Sequence, residues 1–147
     1  MEVFMYQTIL VPLDGSTRAE SILPHVDNLA LQSKSKVIFL QVWTAHEAIK
    51  HANDYILDYD KNKEMISKYL ASIQEGFQKK GIESICFVEM GDAVETIISV
   101  AQRENADLIA IASHGRSGLS RVFYGSVAAG IMQKIDRPML VIRTRNI

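Results

Sequence analysis

The sequence predicts an α/β domain on a mostly parallel sheet, and three features of the chain predict it. Five short apolar runs read as strands and four segments with apolar residues three and four apart read as helices, and the two kinds alternate along the chain. The strand runs are almost continuously apolar, as strands buried on both faces of a parallel sheet must be. Turn formers punctuate the alternation: Asp14-Gly15-Ser16, Gly81, Gly91, Asn105 and Arg137-Pro138. At 147 residues the chain is expected to form one domain, 1–147, large enough to bury a real core.

The first strand is expected over 7–13 and stops at the Asp14-Gly15-Ser16 turn. Thr17 with Glu20 has capping-box spacing and opens a helix with Ile22, Val26, Leu29 and Ala30 on its apolar face. The 33–36 Ser-Lys repeat ends it, and 36–43 is the second strand. A polar, weakly periodic connection follows over 44–59, long enough to suggest a functional or mobile loop. The second helix carries Ile66, Tyr69 or Leu70, Ile73 and Phe77 and closes at Gly81. Strand three spans 84–89. Asp92, with Glu95 three positions on, reads as the N-cap of a helix bearing Val94, Ile97, Ile98 and Ala101. Strand four is expected over 107–112, with a polar glycine-bearing loop directly after it. A fourth helix opens at Gly125-Ser126 with Ala128, Ile131, Met132 and Ile135, and the last strand occupies 139–142. Met65, Met132 and Met139 are expected as core filler.

Composition excludes several classes of function. A formal charge of −1 gives no electrostatic footprint for nucleic acid or a membrane surface, so neither is expected as a partner. The single Cys86 cannot form an internal disulfide or supply a cysteine zinc site, and its apolar surroundings predict a buried, inert thiol. His46, His51, Asp54 and Asp58 match no zinc or EF-hand spacing, so no metal ligand is assigned. The N-terminus shows no secretory signal pattern and nothing reaches membrane-spanning length, which predicts a cytoplasmic protein.

In open α/β sheets ligands bind outside the strand C-terminal ends, where strand order reverses. Both polar clusters, 14–16 and 113–126, fall at such ends. Strand, small-residue loop, helix start is a geometry that binds anions through backbone N–H groups and the helix dipole. Gly115 and Gly125 permit close approach to a ligand. Gly118 serves the same loop. Arg116 and Ser117 are phosphate neighbours on chemical grounds. The segment is neither a Walker loop nor a dinucleotide fingerprint, since no lysine follows a glycine before Ser or Thr and G-x-G-x-x-G is absent. Read without further context, Asp14 fits a turn residue and Ser126 fits a helix N-cap.

The stretch 112–126 is similar to the nucleotide-binding motif of the universal stress protein family: G-x-x-G, nine residues, then G-[S/T]. Here it runs Ala112-Ser-His-Gly115, the nine residues 116–124, and Gly125-Ser126. The 9–16 segment Ile-Leu-Val-Pro-Leu-Asp-Gly-Ser, Gly91-Asp-Ala and the closing Arg-Pro-Met-Leu-Val-Ile extend the resemblance over essentially the whole chain. The resemblance implies an adenine nucleotide alpha hydrolase-like sheet of five strands with helices on both faces, holding ATP between the ends of strands one and four. It implies that Pro12 and Asp14 meet the nucleoside, with Asp14 accepting from the ribose hydroxyls, and that Val42 packs on the adenine. Gly115, Gly125, Ser126 and Val127 would hold the phosphates, with His114 nearby and Mg²⁺ carried mainly by phosphate and water. It also implies a homodimer through 138–142. Ala112 departs from the motif, standing where the family has its first glycine, and its methyl is expected to crowd the ligand.

Two functions remain open on these residues. One is an ATP-holding stress-response module with little or no turnover, at most a slow ATPase. No Walker lysine, arginine finger or water-positioning acid is evident, so no residue is assigned as catalytic. The other is a dimeric interaction module with an empty pocket, which Ala112 favours and the intact Gly115 and Gly125-Ser126 oppose. A phospho-acceptor domain also places an Asp at a strand end, but it needs an acidic cluster that 14–16 lacks.

Overall fold

The computed structural model describes residues 5–43, 57–115 and 125–145. Its strands are β1 (Thr8–Leu13), β2 (Lys36–Trp43), β3 (Ser84–Met90), β4 (Leu108–Gly115) and β5 (Met139–Arg145). Its helices are α1 (Leu23–Ser33), entered by a 3-10 turn at Ala19–Ile22, then α2 (Leu57–Lys79), α3 (Ala93–Arg103) and α4 (Ser126–Lys134). The five strands form one parallel sheet in the order β3-β2-β1-β4-β5. Among the described residues no helix is long and apolar enough to cross a membrane.

Strand alternation divides the core into two layers. Ile9, Val11, Val37 and Phe39 face α1 and α2, where Val26, Leu70 and Phe77 complete the packing; the Phe39 and Phe77 rings meet edge-on at 4.9 Å. Leu10, Ile38, Leu40, Ile109 and Ile111 face α3 and α4, against Ile97, Val100, Ala128 and Ile131. β1 is thus buried on both sides, which is why its sequence lacks a polar alternation.

Strand order reverses between β1 and β4, and their pairing is short. β1 runs in register with β2 from Thr8↔Lys36 to Leu13↔Gln41, but with β4 only at Ile9↔Leu108 and Leu10↔Ile109. Asp107 reinforces this seam from outside the ladder. Its carboxylate accepts from Gln7 N (2.8 Å) and Thr8 N (3.0 Å), and its own N–H donates to Thr8 O (3.0 Å). Beyond Leu10 and Ile109 the ladder stops, leaving a mouth at the C-terminal edge.

Several local expectations are corrected. The Thr17–Glu20 capping box does not form: the Ser16 hydroxyl takes the capping role, accepting from Ala19 N at 3.1 Å, and a 3-10 turn precedes α1. α2 begins at Leu57, so 57–59 belong to the helix and 44–56 lie outside the described residues. Acidic Asp58 and Asp60 suit a first helical turn, where the dipole favours negative charge. β4 and β5 each run three residues further than their apolar runs, to Gly115 and Arg145, because each gives the other a ladder from Ile109↔Met139 to Gly115↔Arg145. Met65 and Met132 are exposed, while Met139 packs against the second core layer. Cys86 is half-buried, with its sulfur 3.5 Å from Leu70 O and 3.6 Å from Gln74 Oε1; burial pushes its thiol pKa up, in keeping with an inert role.

Candidate functional site

Where β1 and β4 part, a pocket of about 250 Å³ opens at the sheet's C-terminal edge. β1 contributes Pro12, Leu13 and Asp14, and β2 contributes Leu40 and Val42. Ile111, Ala112 and Ser113 of β4 form another wall. The first turns of α3 and α4 close the pocket with Ala93, Ile97 and the run Gly125, Ser126, Val127 and Ala128. One end is therefore an apolar slot and the other a helix N-terminus.

Asp14 is exposed at the rim and partly engaged by its own turn. Its Oδ1 accepts from Ser16 N (2.9 Å) and from the Ser16 hydroxyl (2.6 Å), an Asx turn that fixes the loop. Among the described residues its Oδ2 has no partner and remains available to a donor. Tyr69 of α2 backs this loop. Burial first, then the carboxylates of Glu20 and Asp14, push its phenol pKa far above the ordinary value, so it stays neutral. Its hydroxyl faces Glu20 without reaching hydrogen-bond geometry.

The two helix N-termini at the pocket differ in a way that assigns their roles. α3 is capped by Asp92, whose carboxylate accepts from Glu95 N at 3.0 Å and places a negative charge on that terminus. α4 has Gly125 at its N-cap, with φ 73° and no side-chain capping bond. Its first turn closes only with Ala129 N donating to Gly125 O (3.0 Å), so the N–H groups of Ser126, Val127 and Ala128 have no partner within the helix. The positive end of this dipole is the one left open to an anion.

Seven sequence-predicted residues come together at this pocket: Pro12, Asp14, Val42, Ala112, Gly125, Ser126 and Val127. His114 and Gly115 end β4, opposite Thr144 and Arg145 of β5, and so belong to the ladder and not to a loop. Arg116 and Gly118 lie outside the described residues. Ser126 is the first helical residue, not the N-cap, a position that falls to Gly125. Ala112 borders the pocket, but alternation puts its side chain with Leu108 and Ala110, packed on the first core layer and away from α4. The expected crowding by its methyl therefore has no counterpart on the α4 side. Sequence reading missed Leu40, Ala93, Ile97, Ile111 and Ser113 as pocket residues. The period-two pattern from Ile109 through Ile111 would have found Ser113 had β4 been extended, and the Asp92 cap already placed Ala93 at a helix start.

The profile of the universal stress protein family matches residues 5–143. The chain belongs to the universal stress protein family. Universal stress protein MJ0577 of Methanocaldococcus jannaschii is 28% identical over 97% of this chain and 98% of its own length. Universal stress protein Sll1654 of Synechocystis is 30% identical over 95% of this chain and 87% of its own. The solved structure of MJ0577 superposes with a TM-score of 0.83 at 28% identity, covering 97% of this chain and 99% of that one. A universal stress protein solved in complex with cAMP shares the fold with a TM-score of 0.68 at 20% identity, over 95% and 98% of the two chains. Among the described residues of this universal stress protein no cluster of three or more His, Cys, Asp or Glu is placed to hold a metal ion.

Proposed function

We propose that this universal stress protein binds an adenine nucleotide, ATP first, at the β1–β4 switch point and acts as a nucleotide-dependent regulatory module in the stress response. The observation that carries the reading is the uncapped α4 N-terminus, facing Asp14 across a pocket with an apolar slot. Phosphates would sit on the Ser126 and Val127 amides and the Ser126 hydroxyl, beside Gly125. Pro12 and Val42 would flank the nucleoside, and Asp14 Oδ2 would accept from the ribose hydroxyls. Gly115, His114, Arg116 and Gly118 remain assigned to the phosphate side by the family motif. The complex of a fold relative with cAMP makes adenine nucleotides the class to test first.

Asp14 is the single carboxylate among the described lining residues, which suits Mg²⁺ held by phosphate and water better than an all-protein cage. No cationic or histidine side chain lines the described pocket. Charge neutralisation at a transferred phosphoryl group needs such a side chain, so binding without appreciable turnover is the fitting activity. β5 lies at the sheet edge, and 138–142 would pair with a second copy to form a homodimer.

The test is direct. Nucleotide released on denaturing the purified protein is identified by chromatography, and the emptied protein is titrated with Mg·ATP by calorimetry. Retained or micromolar ATP, weakened in Asp14→Ala, supports the reading. Absence of both nucleotide and heat turns it toward a dimeric interaction module.

A further inference from the structure

The pocket holds one polar side chain that neither the motif nor any hydrogen bond explains. Ser113 is only 2% exposed, and its Oγ has no partner among the described residues. Four other buried polar side-chain atoms are also unpaired: Asp27 Oδ1, Gln41 Oε1, Tyr69 Oη and Ser84 Oγ. None of those residues lines this pocket, and Ser113 does. A buried hydroxyl without a partner costs free energy in the empty protein, so its retention calls for an explanation.

Its position says which end of a nucleotide it would meet. Ser113 follows Ile109 and Ile111 on the face of β4 that packs against α3 and α4. α4 is the helix that leaves β4 for β5, and a right-handed crossover starts it above the C-terminal end of β4. The Ser113 hydroxyl thus stands on the strand side of the open α4 terminus, while Pro12, Leu40 and Val42 mark the slot at the far end. The Ser113 backbone is fixed, because its carbonyl accepts from the Thr144 hydroxyl at 2.8 Å. What converges there is a set of donors: the amides of Ser126, Val127 and Ala128 from above, and a hydroxyl from below. Such a set asks for an acceptor-rich group and not for a base edge.

Resting on the nucleotide reading, we infer that Ser113 is a phosphate-contacting residue, donating from β4 to the same phosphate that the α4 amides receive. It therefore sets the preference of the site for phosphorylated nucleosides over bare nucleosides. A hydrogen bond to a charged acceptor is among the stronger ones. Its loss is expected to reduce the ATP-over-adenosine preference about ten-fold or more.

The experiment titrates ATP and adenosine into wild type, Ser113→Ala, Ser113→Thr and Ser113→Val by calorimetry, with melting temperatures of the free proteins alongside. Thr and Val have nearly the same shape, so their difference reports the hydroxyl and not the packing. The preference is expected to hold in Ser113→Thr and to fall in Ser113→Ala and Ser113→Val. The free Ser113→Ala protein should melt no lower than wild type, since the group it loses has no partner to lose. Wild type that binds ATP, with Ala and Val variants that keep its preference, overturns this inference alone. A melting temperature of Ser113→Ala well below wild type, with the preference kept, makes the hydroxyl structural and also overturns it. Wild type that binds no ATP removes the nucleotide reading and the inference with it.

Discussion

Asp107→Ala attacks the seam on which the pocket depends. The β1–β4 ladder spans only Ile9↔Leu108 and Leu10↔Ile109, and the Asp107 carboxylate adds two bonds at its closed end, to Gln7 N and Thr8 N. The two differ in worth. Gln7 N is exposed, so water replaces its partner and the loss is about 0.5–1 kcal/mol. Thr8 N is partly buried and loses a charged acceptor, a loss of about 1–2 kcal/mol. Together they predict destabilisation of about 2–3 kcal/mol, and in a domain of this size about 2–4 °C per kcal/mol, or a melting temperature about 4–12 °C lower. The backbone bond from Asp107 N to Thr8 O survives the change, so the strand pair should fray and not dissociate. Differential scanning calorimetry reads the shift, and amide exchange should quicken at Thr8 before the central β1–β2 ladder. A variant that melts within about 1 °C of wild type, with Thr8 exchange unchanged, would refute the claim that this carboxylate holds the seam.

Ala112→Gly restores the motif glycine. Because the methyl packs on the first core layer, the change should cost about 1 kcal/mol of stability from the lost methyl and the added chain entropy. Titration should then show ATP affinity rising less than about three-fold, well under 1 kcal/mol, whereas a ten-fold gain would mean that the methyl does obstruct the ligand. Val141→Pro removes an N–H donor from the edge strand and should weaken self-association in sedimentation; an unaltered dimer counts against pairing through 138–142.

The fold was legible where one force dominates. β2 reads from its apolar run because both of its faces are buried, and the Asp92 cap and the Gly81 stop (φ 83°) read from side-chain chemistry that acts within a few residues. The rest depended on partners distant in sequence. Ser113, His114 and Gly115 have little strand propensity, yet β5 offers them a ladder, and tertiary pairing overrides propensity. Arg137 read only as a breaker before the last strand. In the structure its Nη1 donates to Ala101 O (3.0 Å) and Ala106 O (2.8 Å), tying the end of α3 to the chain entering β4. The order β3-β2-β1-β4-β5 had no signal in the sequence, although both site segments did lie at strand ends. For the site, the family motif marked the backbone positions around α4. It did not mark Leu40, Ile97, Ile111 or Ser113, which reach the pocket only through the sheet and the crossovers.

The distribution of satisfied and unsatisfied groups around the pocket argues for its polarity more strongly than any one residue does. On the β1 side, Asp14 Oδ1 is bound to Ser16, and Ser16 in turn to Ala19; at α3 the Asp92 carboxylate is spent on Glu95. Those elements hold themselves in place without a ligand. At α4 the helix starts without a side-chain cap, a feature that costs about 0.5–2 kcal/mol relative to a good one such as Ser or Asp, or a few tenths when Gly fills the position. The unpaired Ser113 hydroxyl adds a desolvation cost of about 1–3 kcal/mol at the same spot. An acceptor-rich ligand is the one occupant that relieves both at once. It would bind without disturbing Asp14, whose free oxygen is then left to choose among ligands by the hydroxyls they carry.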